Sequence, residues 1–338
     1  MGRPDEQLLA PAPGGADHVD YLDGWRGLSI LGVLQGHFLW LPGLDGGSFG
    51  VSMFFVLSGR LMANILFVKR QPLPVFYRRR ASRILPAFVL FVAAVFAASW
   101  TWGQRFTAAE FWSTLFFLRT YYPASGIWGT GMPIGHLWSL NVEEHCYLLM
   151  SLLALVPLLR GREGLWLLAI GFGCIATGFV YVRIGAAAPR WGALGTEVAG
   201  AALFVSAGYR LSCDGLQRHV PPWLPVVTLL TAFVLAQRGP WWSQALLPLL
   251  LAFSVNHLGE SGAWFQRLLS ARLLRRLGLW SFSLYLWQQP FFQLKSTLPG
   301  GALAGLGAAC CVALLSFYLV EKPARDWLNR RWRSDRAR

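Results

Sequence analysis

Apolar residues run along this chain in long blocks rather than in strand-like alternation, and they predict ten helices near 25–41, 49–68, 84–102, 136–159, 164–183, 193–210, 222–238, 241–258, 275–295 and 300–321. Each block is long enough to cross, or nearly cross, a hydrocarbon core of about 30 Å. The stretch 106–120, FTAAEFWSTLFFLRT, is apolar but short and interrupted by Glu110 and Arg119, which predicts an interfacial or re-entrant helix. Its status sets the topology, because one more crossing would exchange the sides of every later loop.

Composition agrees with a polytopic, all-α integral membrane protein: of 338 residues 55% are hydrophobic and 14% charged, and the mean hydropathy is +0.44. The net charge of +14 would suit a nucleic-acid binder, but the basic residues sit in short clusters between apolar runs, so no nucleic-acid partner is expected and the partner is the lipid bilayer. With the N-terminus inside, 22 of the 30 Lys and Arg fall in inside segments and six in outside ones, the bias expected when both termini are cytoplasmic. That places the chain in a bacterial-type cytoplasmic membrane. Residues 1–20 are polar and rich in Pro and Gly, without the basic and apolar regions of a cleavable signal, and predict a disordered cytoplasmic tail. Residues 21–322 then form the ten-helix membrane domain and 323–338 a basic cytoplasmic tail, with no extra soluble domain. The cysteines Cys146, Cys174, Cys213, Cys310 and Cys311 lack C-x-x-C spacing and are expected as buried packing residues.

Three stretches place ionisable groups where hydrocarbon makes them costly. In YLDGWRGLSILGVLQGHF (21–38), Arg26 and His37 are eleven residues apart, about 16 Å and three turns, so they share a helix face at two depths. A packing histidine is the bland alternative; an intramembrane ionisable group is a functional candidate by default. In GHLWSLNVEEHCYLLM (135–150), counting inward puts Glu143 and Glu144 near the depth of His37, and a carboxylate beside an imidazole orients it and raises its basicity. In FYRRRASRILP (76–86), Arg78, Arg79, Arg80 and Arg83 lie on the cytoplasmic side, either as a topology anchor or as a phosphate clamp in which Arg80 and Arg83 share a face. His18, His219 and His257 have no ligand spacing, His136 begins the acidic helix at the outer interface, and no metal motif is present. The tryptophans suit interfacial belts, with Trp241, Trp242 and Trp287 candidates for the border of a sugar site.

These stretches, with FGVSMFFVLSG (49–59), LGLWSFSLYLWQQP (277–290) and LVEKPARDW (319–327), follow in the order of the acyltransferase-3 family of membrane O-acyltransferases, which the chain resembles from about residue 20 to 327. The resemblance implies acyl transfer, usually of acetyl, from cytoplasmic acyl-CoA to a hydroxyl of a carbohydrate or small-molecule acceptor. It makes His37 the catalytic histidine, Arg26 its motif partner and Glu143 the motif glutamate. Arg80 and Arg83, flanked by Arg78 and Arg79, become the donor-binding cluster, and Trp138, Ser139, Glu144, Ser58 and Tyr285 line the substrate path. Two positions depart from the family pattern. Gln288 stands where many relatives have a histidine, and His145-Cys146 where relatives commonly have glutamine and an aromatic.

The implied mechanism docks the acyl-CoA (acetyl-CoA) nucleotide on the inner arginines and extends the thioester toward His37. There His37, supported by Glu143, takes the acceptor proton, or is itself acylated. No metal takes part. A proton-coupled transporter or flippase of a sugar or lipid-linked substrate is the alternative for ten helices with buried Arg, His and Glu; the inner arginine pair and the lack of an internal repeat favour the enzyme.

Overall fold

A computed structural model describes residues 19–39, 41–123, 127, 131–185, 194–213, 219–239 and 241–334, and among these it is helical apart from short connections. The predicted N-terminal tail lies almost wholly outside the described residues. Helix α1 (Asp20–Phe38) carries Asp20 and Asp23 in its first turn, where the helix dipole favours acidic groups. Helix α2 (Gly46–Ala63) is capped by the Asp45 side chain, which accepts from Gly47 N–H at 2.8 Å, and it runs on through a π turn, Asn64–Val68. Helix α3 (Leu73–Thr101) contains Pro86, and the short α4 (Ala108–Leu115) opens with a Thr107–Glu110 capping box.

Helix α5 (Trp138–Ala154) follows a 3-10 turn at Gly135–Leu137, and α6 (Glu163–Arg183) follows it. Next come α7 (Thr196–Ala199), α8 (Ala201–Ser212), α9 (Leu224–Arg238), α10 (Leu247–Asn256) and α11 (Ala263–Leu269). Helix α12 (Arg272–Leu294) leads to α13 (Gly301–Ser316), which continues through a second π turn, Phe317–Glu321, into α14 (Lys322–Ser334). The basic segment set apart as a C-terminal tail is therefore helical where described. It packs on α3, with Ser82 Oγ donating to Asn329 Oδ1 at 3.2 Å.

A helix stands at each of the ten predicted places. Four helical stretches, Gly46–Val68, Leu73–Thr101, Glu163–Arg183 and Gly301–Trp332, are long and apolar enough to cross a membrane by length and composition. Helix α4 has eight residues, about 12 Å, too short to cross. The longer helices outside the four owe their lower hydropathy to the charges they carry: Asp20, Asp23 and Arg26 on α1, and Arg272, Arg275 and Arg276 on α12.

The packing runs α13 on α12, α12 on α1, α1 on α2 and α2 on α8, with α6 and α10 flanking α8. The central contacts need small residues. A Cβ on Gly27 would sit 2.1 Å from the Leu274 carbonyl oxygen, and one on Gly59 equally close to that of Leu203. Glycine thus lets α1 press on α12 and α2 on α8 at backbone distance, as membrane helices do when small residues line their contact. One hydrophobic cluster fills this centre, and a second joins α3 to Ile127, Met132, Ile134, Leu137, Leu140 and Leu286. The cysteines are unbonded: Cys146 and Cys174 are buried as expected, while Cys213 and Cys310 are half-buried and Cys311 is exposed, turned off the core face of α13.

Candidate active site

The tight α1–α12 contact fixes the two predicted depths of α1. Near the N-terminus of α1, Arg26 pairs with Asp23 at 2.8 Å and lines a cavity of about 140 Å³. Ser58, Arg80, Arg83, Ser139, Glu143 and Tyr285 line the same cavity, so seven of the predicted site residues meet in one place. The i, i+3 spacing that puts Arg80 and Arg83 on one face turns Arg78 and Arg79 elsewhere: both are exposed, and Arg79 bonds Gln71 at 3.2 Å.

Arg80 is committed to the carboxylates of α5. Its Nε donates to Glu144 Oε1 at 2.8 Å, its terminal nitrogen lies 2.7 Å from Glu144 and 3.4 Å from Glu143, and its guanidinium sits 3.7 Å over the Tyr147 ring. Glu143 also accepts from Ser58 Oγ at 2.6 Å. Glu144 does not line the cavity; it holds the arginine that does. Trp138 also stands outside the lining, edge-on to Phe55 at 5.9 Å. Arg83 has no carboxylate within 4 Å among the described residues; it is exposed and lines the cavity, where it is repelled by Arg26 and attracted by Glu321.

The expected pairing of Glu143 with His37 is not made. His37 Nδ1 lies 2.5 Å from Gln288 Oε1, its ring stacks on Phe292 at 4.5 Å, and Lys295 Nζ donates to its backbone carbonyl at 2.6 Å. A carboxamide oxygen at Nδ1 calls for a proton there and leaves the Nε2 lone pair free. Gln288, which cannot act as a base, thus stands at the place beside His37 expected for Glu143. The reason is where α5 begins. Residues 134–137 are buried, and the glutamates of the helix that follows fall against Ser58 and Arg80 rather than against His37.

A line of contacts nevertheless joins the two places. Ser139 Oγ and Tyr285 Oη are 2.5 Å apart, and Tyr285 Oη also donates to the His136 carbonyl at 2.7 Å. The His136 ring packs beside Tyr285, centroids 5.2 Å apart, within electrostatic reach of His37. Tyr285 and Gln288 are three residues apart on one face of α12, so a single helix face touches both the cavity and His37. His136 itself is only 3% exposed, not interfacial as its place at the head of α5 suggested. Tyr147, i+4 from Glu143, was also missed; that spacing was the available signal. No group of three metal-ligating side chains occurs among the described residues.

A family profile described as an acyltransferase domain matches residues 19–321. The chain is 28% identical over 357 residues to the peptidoglycan O-acetyltransferase OatA of Listeria monocytogenes, an alignment covering 91% of this chain and 56% of that protein. It is 28% identical over 369 residues to BcsY of Komagataeibacter xylinus, which carries the name of a membrane-bound transacylase, covering 91% of this chain and 83% of BcsY. A Staphylococcus aureus protein with an O-acetyltransferase name is 24% identical over 302 residues, covering 80% of this chain and 50% of that protein. The chain thus spans about half the length of the Listeria and staphylococcal relatives. No solved structure matches. With the family profile covering nearly all of the described helices and six motifs in family order, the chain belongs to the acyltransferase-3 family of membrane acyltransferases.

Proposed function

We propose that this chain is an O-acyltransferase that moves an acyl group, acetyl in the simplest case, from cytoplasmic acyl-CoA to a hydroxyl of a carbohydrate or a small molecule. In this reading ten helices cross the cytoplasmic membrane with both termini inside, in line with the 22 to 6 bias of basic residues. The name of the Listeria relative favours a sugar polymer as acceptor.

The observation that carries the reading is the unequal commitment of the arginines. Arg80 is spent on Glu143 and Glu144 and Arg26 on Asp23, while Arg83 lines the same cavity with no carboxylate within 4 Å among the described residues. Arg83 is the group free to take a phosphate of the donor. The acyl-pantetheine arm then follows the cavity past Ser58 and Glu143 toward Tyr285 and His37. His37, with Nδ1 held by Gln288, receives the acceptor proton on Nε2 as the hydroxyl oxygen attacks the thioester carbonyl. The C–S bond breaks, and the imidazolium returns the proton to the departing thiolate. An acyl-His37 intermediate is the variant in which Nε2 attacks first.

The test is binding of radiolabelled acetyl-CoA and its turnover in lipid by wild type, His37→Ala and Arg83→Ala. Retained binding with loss of turnover is expected for His37→Ala, and binding weakened about 10- to 100-fold for Arg83→Ala, the loss of one charge-assisted contact. A wild-type protein that binds no acetyl-CoA overturns the reading and brings the carrier alternative forward.

A further inference from the structure

The end of α1 that carries His37 gathers charged groups with no part in the chemistry so far. Asp45 is one of them: a Cβ on Gly36, the residue before His37, would lie 3.0 Å from its Oδ1. This carboxylate is already committed, because its oxygens accept from Gly47 N–H at 2.8 Å and Ser48 Oγ at 3.3 Å and cap α2. Gln237 of α9 clasps the Asp45 backbone in both directions, at 2.6 and 2.8 Å. Its neighbour Arg238 is exposed and has no carboxylate within 4 Å among the described residues. Lys295, the residue that ends α12, brings a second cation to His37 itself. Its Nζ stands 4.1 Å over the Phe292 ring, on which the His37 imidazole stacks at 4.5 Å, and it donates to the His37 carbonyl at 2.6 Å. Ammonium and imidazole thus share one aromatic ring. Capping the last turn of a helix is an ordinary task for a lysine, but it uses one of three N–H groups. Lys295 too has no carboxylate within 4 Å among the described residues. In the ten-span reading only six basic residues lie outside, and two of them meet at this rim.

We infer that the acceptor is a carbohydrate bearing an anionic group, a carboxylate or a phosphate, and that Lys295 binds that group while a nearby hydroxyl gives its proton to His37. The inference rests on the acyl-transfer reading and adds to it the charge of the acceptor. At this rim the anion is spent and the cations are open, so the contact on offer to an incoming molecule is a charge-assisted one to a negative group. Two N–H groups of Lys295 remain for it. With its charge held there, a sugar has a hydroxyl one unit away or less to set on His37 Nε2, which is the orientation that a transfer step needs. Lys295 keeps its proton throughout, and Arg238 extends the positive rim that draws the acceptor in.

The experiment uses the full chain in lipid nanodiscs with labelled acetyl-CoA and three probe acceptors: short oligosaccharides of glucose, of glucuronic acid and of phosphorylated glucose. Wild type is expected to prefer at least one charged probe over the neutral one about 10- to 100-fold in kcat/KM, mainly through KM, as one charge-assisted contact provides. The preference is expected to shrink as salt is raised. Which charged probe leads tells a carboxylate from a phosphate. In Lys295→Met the ratio of charged to neutral transfer is expected to fall to within threefold of one, whereas Lys295→Arg keeps it. Loss of the α1 cap alone would slow both transfers alike and leave the ratio in place. A wild-type ratio within threefold of one overturns the inference without any variant, and so does a ratio unchanged in Lys295→Met. Transfer to none of the probes by a protein that binds acetyl-CoA also overturns it. Failure of wild type to bind acetyl-CoA sinks the acyl-transfer reading instead.

Discussion

The Arg80 cluster allows a quantitative test of which glutamate the fold depends on. Side-chain exposures of 14% for Arg80, 18% for Glu143 and 20% for Glu144 mean that solvent does not erase these pairings. Glu144 takes the two short contacts, at 2.7 and 2.8 Å, whereas Glu143 reaches Arg80 only at 3.4 Å and has Ser58 as a second partner. Arg80→Leu strands two carboxylates, and breaking a buried pair from one side costs about 3–5 kcal/mol. Glu144→Gln removes one charge-assisted pair, about 1.5–3 kcal/mol. The double variant strands one carboxylate fewer, so its destabilisation should fall short of the sum by about 1.5–3 kcal/mol, roughly a 10- to 150-fold difference in unfolding equilibrium. The assay is reversible unfolding of the purified protein in bicelles, read as a double-mutant cycle. Additivity within about 0.5 kcal/mol, the behaviour of independent sites, would refute the assignment of Glu144 as the clamp.

Two further outcomes follow from the packing around His37. Gln288→Leu removes the partner of Nδ1 at a fully buried position and should lower kcat about tenfold, one hydrogen bond's worth, with KM unchanged in steady-state acetyl transfer. Gly27→Val places side-chain atoms where the Leu274 carbonyl already stands, and should lower stability by about 1–3 kcal/mol or more in the bicelle assay, with loss of turnover because Arg26 and His37 both ride on α1.

Helix positions were legible in the sequence because hydrocarbon demands long apolar runs, and each of the ten runs is a helix. The short α4 was legible from its length and the interruption by Glu110 and Arg119, which pair at 3.2 Å. Relative depth was not. Counting inward assumes that helices begin at the surface, and α5 does not: Ile134, Gly135, His136 and Leu137 are buried before it starts. That one offset explains both the separation of Glu143 from His37 and the burial of His136. The π turns at Asn64–Val68 and Phe317–Glu321 had no sequence signal, yet the second sets Glu321 in the interior, where Ser283 donates to it at 2.7 Å.

The stretch RRRASR shows how far the pattern alone could go. Four arginines within six residues look alike in sequence, and a rotation of about 100° per residue separates them. Arg78 and Arg79 face outward, where they can act on topology. Arg80 and Arg83 face the cavity together, but α5 presents its glutamates only at the level of Arg80, so one arginine is neutralised and the next is left open. The difference between the two arginines lies in the helix opposite, which carries carboxylates at the level of Arg80 and not three residues along the same face. The same logic applies to the imidazoles. His37 has its Nδ1 against Gln288 Oε1, whereas the His136 ring is packed between Phe91 and Tyr285. Helix α12 touches both rings, through Gln288 at one and Tyr285 at the other.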